Sequence, residues 1–179
     1  MARPEIGRWI GQRLVEWLTE RVTEPVFQQR SLEETRALIR LLTMVMMADG
    51  EDSAAEQQLL EFLMTNLPKS WRLEGGQPMW RALVDQGVSL TSGPERLDVA
   101  IESATFLQDP PLRERAYEMV EMIFQASPTP PDVYHRWHSR LAEALRIPPE
   151  EQETRAAAAA SEYHFRIKKD VSSVFDEKS

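Results

Sequence analysis

The chain has no cysteine. A disulfide framework, a thiolate nucleophile and a thiolate metal site are thereby excluded. No run approaches the roughly 20 apolar residues that a membrane-spanning helix needs. No segment alternates apolar and polar residues with period two, so no sheet is expected. The phosphate-cradling patterns G-x-x-x-x-G-K-[ST] and G-x-G-x-x-G are both missing, and the adjacent Gly75 and Gly76 stand in a loop without either. The G-x-S-x-G nucleophile elbow is missing too. Basic residues are in deficit: 21 Lys and Arg stand against 29 Asp and Glu, a net charge of −8. Duplex nucleic acid needs clustered Lys and Arg, so it is not expected as a partner. The opening Met1 to Glu5 is polar, and Arg8, Gln12 and Arg13 interrupt the apolar residues that follow. No signal peptide is read there, and a cytoplasmic location is the expectation.

What is present is helical pattern throughout 179 residues, 42% of them hydrophobic. That length and composition suit one compact all-α domain. Ala37 to Ala48 is apolar on nearly every side, which predicts a helix buried all round at the centre of the core. Ser31 and Glu34 form a capping box at its start. The acidic stretch Asp49-Gly50-Glu51-Asp52 follows, with Gly50 placed as a helix C-cap. Ser53 and Glu56 make a second capping box, and Leu59, Leu60, Leu63 and Leu67 continue at helical spacing. The pattern is an αα-corner with an acidic tip.

Around this corner the chain reads as three parts. Residues 1–30 carry an amphipathic helix ended by Pro25, with Trp9 and Trp17 on its apolar face. Its polar face mixes Arg with Glu, which favours packing on the core over a membrane or partner contact. Residues 31–149 hold the main domain. Within it Pro78 to Gln86 is a short helix, and Ser92-Gly93-Pro94 opens another whose stripe is Leu97, Ala100, Ile101, Ala104 and Leu107. Asp109 and Pro110 start a second strongly buried helix (Leu112, Ala116, Met119, Val120, Ile123, with Tyr117, Met122 and Phe124 added). A proline-rich turn leads to a last core helix on Val133, Trp137, Leu141 and Leu145. The methionines of the two most apolar helices read as flexible core filling. Residues 150–179 form a tail with the helix-favouring run Ala156 to Ala160. Tyr163, Ile167, Val171 and Val174 continue an apolar stripe. This tail is read as helical to about Lys169 and frayed beyond it, either docked on the core or offered to a partner through Tyr163 and Ile167.

Two groups of residues invite chemistry. Asp49, Glu51, Asp52, Glu56 and Glu61 lie together with no Lys or Arg between positions 49 and 61. Hard cations such as Ca²⁺ or Mg²⁺ want several oxygen ligands, which Asp49, Glu51, Asp52 and Glu56 can supply around one turn. The EF-hand spacing is not met, and a helix N-terminus already favours Glu51, Asp52 and Glu56 as anions. Asp49, at a helix C-terminus, is the acid this logic does not explain. The second group is His135 and His138, spaced i, i+3 instead of the i, i+4 of the zinc helix, with Asp132 as the nearest third candidate. Neither group fixes a nucleophile or an open metal position, so no catalytic residue is assigned and a metal-dependent hydrolase is the weakest class.

A shift of 78 positions lays Ala48 on Ala126, Leu59 on Trp137, Leu63 on Leu141 and Leu67 on Leu145. With this internal repeat, the stretch Ala48-Asp49-Gly50-Glu51-Asp52-Ser53-Ala54-Ala55-Glu56 and the ending Leu141-Ala142-Glu143-Ala144-Leu145-Arg146-Ile147 resemble the tellurite-resistance TerB-like family over roughly residues 31–149. The resemblance implies a compact helical bundle of about seven helices with two pseudo-repeated αα-corners. It implies no enzymatic activity, a link to chemical stress, and service as a module in larger assemblies with protein partners. It also implies divalent-metal binding at the acidic turns, carried here by Asp49, Gly50 and Glu56. The second turn departs from the pattern: Asp49 maps to Ser127, Gly50 to Pro128 and Glu56 to Tyr134. The expectation is therefore a non-enzymatic interaction or scaffold module, with a divalent cation as the only candidate cofactor. The alternative is a partner-binding helical protein that works through its terminal helices, with no metal site.

Overall fold

The computed structural model describes residues 31–48, 93–126 and 129–176. These residues are all-helical, with no strand among them. Five helices are present among the described residues: α1 (Leu32–Met46), α2 (Gly93–Thr105), α3 (Pro110–Ala126), α4 (Pro131–Ala144) and α5 (Pro149–Asp176). The N-terminal helix, the second helix of the acidic corner and the short helix expected at Pro78 to Gln86 lie outside the described residues.

The central helix begins as its cap dictates. Ser31 Oγ accepts the Glu34 N–H at 3.1 Å, and a Glu34 carboxylate oxygen accepts the Ser31 N–H at 3.4 Å. Two orphan donors of the first turn are thus satisfied reciprocally. From Ala37 to Ala48 every side chain except Arg40 is buried. This includes Thr43, a hydroxyl inside an otherwise apolar helix. The helix tightens as it ends: Met47 N–H donates to Met44 O and Ala48 N–H to Val45 O, both at 3.2 Å. Such i to i+3 bonds use up carbonyls that a plain α-helix would leave open.

Helix α1 packs against α2 and α3. Helix α4 spans α2 and α3 on the other side, and α5 lies along α3. The stripe expected on α2 is buried at Leu97, Ala100, Ala104 and Leu107, with Ile101 partly covered. On α3 Leu112, Ala116, Tyr117, Met119, Val120, Met122, Ile123 and Phe124 are all in the core. Met44, Met46, Met47, Met119 and Met122 are core residues as well, where an unbranched thioether fills irregular gaps. Phe106 and Phe165 are the large apolar side chains exposed among the described residues.

Proline sets the starts of α3, α4 and α5. Each opens on a proline, whose missing N–H costs nothing at the first helical position. Helix α4 closes without glycine. Arg146 takes φ 55°, its N–H donates to Glu143 O at 3.0 Å, and the Ile147 N–H reaches Ala142 O at 3.0 Å. This is a Schellman closure with an arginine in the left-handed position, and Ile147 folds back into the core as its hydrophobic partner. The tail differs from its expected extent. Helix α5 continues past Lys169 to Asp176. No glycine or proline occurs between Glu150 and Asp176, so nothing in the backbone stops it.

Candidate functional site

Two pairs spaced i, i+4 face each other between α3 and α4. Tyr117 and Glu121 come from α3, Tyr134 and His138 from α4. That spacing stacks each pair on one face of its helix. Tyr134 donates its hydroxyl to a Glu121 carboxylate oxygen, Oε2, at 2.9 Å. The other oxygen, Oε1, lies 3.3 Å from His138 Nε2. It is buried, and no aligned hydrogen bond reaches it among the described residues. His138 Nε2 is also 2.6 Å from Tyr117 Oη. The Tyr117 hydroxyl is in turn 3.2 Å from the Gln152 carbonyl in the first turn of α5. The Tyr134 ring stacks on His138 with centroids 5.4 Å apart, and Phe124 meets Tyr134 edge-on at 5.2 Å.

Burial governs the charges here. Glu121 is 0% exposed, and its carboxyl is pushed up to about 7, the loss of hydration outweighing the Tyr134 hydroxyl, which acts the other way. His138 is held below its ordinary value, first by burial and then by neighbouring His135. Both tyrosines are raised, first by burial and then by the Glu121 carboxylate. Each shift favours the neutral form of its group. The Glu121–His138 contact is therefore not a fixed ion pair. What such an arrangement does chemically is hold a proton inside the fold.

Beside this cluster Arg155 fastens α5 to α3. Its Nη1 donates to Glu118 at 3.1 Å, its Nη2 lies 3.0 Å from a Glu114 oxygen, and its Nε donates to Glu151 at 3.0 Å. Burial alone lowers the guanidinium, but Glu151, Glu114 and Glu118 together raise it. Across the core, buried Arg96 of α2 donates Nη1–H to the Met47 carbonyl at 2.9 Å, at the end of α1.

The residues singled out by sequence fall differently. Asp49, Glu51, Asp52, Glu56, Trp9 and Trp17 lie outside the described residues. Tyr163 is 7% exposed and belongs to the core cluster, one turn beyond buried Ala159. Its ring is a docking residue of α5 within the chain, and Ile167 continues that helix one turn further. His138 is turned to Tyr117 and Glu121, and His135 stands exposed at the edge of the Tyr134 ring. Among the described residues no three His, Cys, Asp or Glu gather as metal ligands. None of the described helices is long and apolar enough to cross a membrane.

Sequence reasoning missed Glu121, Arg96 and Arg155. Glu121 carried a signal: it is the one charge in the apolar run Met119-Val120-Glu121-Met122-Ile123-Phe124. An acid set inside such an apolar run must be buried and must find partners there. Compared with known proteins, the chain matches no family model, no curated protein and no solved structure.

Proposed function

We propose that the chain is a non-enzymatic helical module that docks a basic protein partner on its acidic corner, Asp49 to Glu56, in the manner expected of a TerB-like domain. In this reading the whole domain has about seven helices. Helices α3 and α4 form the second of two pseudo-repeated corners, and α1 is the first helix of the other.

One observation carries the reading. From Ala37 to Ala48 every side chain but Arg40 is buried, and the Met47 carbonyl is held by Arg96 at 2.9 Å. The end of α1 is therefore a fixed point, and the acidic stretch begins two residues after Met47. A rigid root of this kind is what a presented interaction surface requires. The groups with chemical capability, Tyr117, Glu121 and His138, are engaged with one another inside the fold. That supports a module without catalysis. The partner contacts proposed for Trp9, Trp17 and Ile167 are the alternative surface.

The test pairs two measurements. Partner capture by the full chain is compared with that by Asp49→Asn combined with Glu56→Gln, which is expected to lose the salt-sensitive fraction. Equal capture by both proteins sinks the acidic-corner reading and turns attention to Trp9 and Trp17. Thermal unfolding is then followed with millimolar Ca²⁺, Mg²⁺, Mn²⁺ and Zn²⁺. No shift is expected. A rise for one cation that disappears in Asp49→Asn makes the corner a metal site instead, since a ligand at a hundredfold excess over Kd adds about 2.7 kcal/mol to native stability.

A further inference from the structure

The polar cluster between α3 and α4 is joined to α5. Only one oxygen of Glu121 has a hydrogen bond, from Tyr134, while Oε1 faces His138 Nε2 at 3.3 Å with no aligned donor among the described residues. The same Nε2 touches Tyr117 Oη, and Tyr117 reaches the Gln152 carbonyl in the first turn of α5. Carboxylate, imidazole, phenol and helix α5 form one continuous row.

A proton placed between Oε1 and Nε2 completes this row. Carried on Nε2, it faces Oε1 and Tyr117 Oη together, and the Tyr117 O–H is then free to donate to Gln152. Removing it bares a lone pair on Nε2 that takes the Tyr117 O–H, 2.6 Å away, from Gln152, and leaves an interior carboxylate with Tyr134 as its hydroxyl donor. Gln152 in the first turn of α5 then loses the Tyr117 donor. We propose that the Glu121–His138 pair is a proton-operated latch on α5, closed when it holds a proton and released when it loses it.

The surrounding charges are consistent with this. From α4 the pair meets Tyr134, His135 and His138. From its own helix it meets Tyr117, with Glu118 beside it bound to Arg115 at 2.6 Å. From α5 it meets Arg155, whose charge acts on Tyr117. Helix α1, also packed on α3, contributes Thr43 and Arg40, whose Nε is buried, beside apolar side chains. Burial sets the carboxyl at about 7, so the latch operates near neutrality.

The absence of native cysteine allows a direct test. Ser139→Cys on α4 and Ser161→Cys on α5 place spin labels at two exposed positions of the full chain. One short, narrow distance is expected at about pH 6, with a longer population growing as pH rises through about 7. Glu121→Gln should keep the short distance at every pH. Tyr134→Phe, which removes the donor that stabilises the carboxylate, should move the midpoint to higher pH. Identical distributions at low and high pH in the otherwise native chain overturn the proposal, and so does an unchanged pH response in Glu121→Gln. Should the glutamine variant not fold, an unmoved midpoint in Tyr134→Phe overturns it as well.

Discussion

Arg96 Nη1 and the Met47 carbonyl oxygen are 2.9 Å apart although their residues are 49 positions apart in the chain. Both are buried, so α2 holds the C-terminal end of α1 through a charge-assisted hydrogen bond in the interior. Arg96→Met keeps the stem and removes the donor. The Met47 carbonyl then loses that donor, and a loss of about 2–3 kcal/mol in urea unfolding is expected. Arg96→Lys should recover little of it, because an ammonium lacks the planar fork and hydrates more strongly. A lysine variant as stable as the native chain would show that charge alone matters at this position.

Glu121 makes stability fall with pH. Its carboxyl titrates at about 7 in the fold against 4.5 as the ordinary value, so the folded chain binds more protons than the unfolded one between those limits. Its contribution is fully present below 4.5 and is lost as pH rises through about 7. His138 runs the other way: its folded pKa lies below 6.5, so its contribution is present above that value and lost as pH falls. Glu121→Gln removes the titrating carboxyl and leaves His138 in place. The glutamine variant should match the native chain near pH 4.5 and gain on it by about 3 kcal/mol by pH 8. A difference that does not change with pH in denaturant titrations would contradict a buried, raised carboxyl.

The parts of the fold that were legible in the sequence are those set by local rules. The Ser31–Glu34 box, the buried runs of α1 and α3, the stripe on α2 and the Pro110 start of α3 all follow from capping, periodicity and missing N–H groups. Glu121 with His138, Arg96 with Met47 and Arg155 with Glu114 and Glu118 are contacts between separate helices, which periodicity along one helix does not encode. The ambiguity of Tyr163 had the same origin. Its stripe was visible, but whether the stripe faces the core or a partner depends on how α5 lies on α3. The metal and partner residues of the acidic corner were proposed from charge and resemblance, and they fall outside the described residues.

Arg155 should show how far the α5 contact depends on charge. The guanidinium is 23% exposed, and its partners Glu114, Glu118 and Glu151 are 42%, 15% and 44% exposed. A fork shared by three partly solvated carboxylates is worth roughly 1 kcal/mol more than a simple surface pair is worth. Arg155→Ala is expected to cost about 1–2 kcal/mol at low salt. The cost should shrink at molar salt, where the screening length is about 3 Å. Amide exchange of residues 150–160 should rise more than that of α1. A salt-independent loss spread evenly over the chain would instead point to lost packing of the arginine stem.

The close of α4 offers a gain in stability. Arg146 is exposed and holds φ 55°, a region that crowds the Cβ of any residue but glycine. The two Schellman bonds, from Arg146 to Glu143 and from Ile147 to Ala142, fix it there. Arg146→Gly relieves the crowding, at the expense of greater freedom in the unfolded chain and a lost positive charge near the helix C-terminus. The net expectation is a gain of about 0.5–1 kcal/mol, which for a chain of this size raises Tm by roughly 2–4 °C per kcal/mol. Arg146→Val should lose at least about 1 kcal/mol, because a β-branched side chain is a true outlier in this region. Calorimetry on the two variants decides the matter. A valine variant as stable as the native chain would mean that the turn relaxes out of the left-handed region, and that Ile147 does not need it to reach the core.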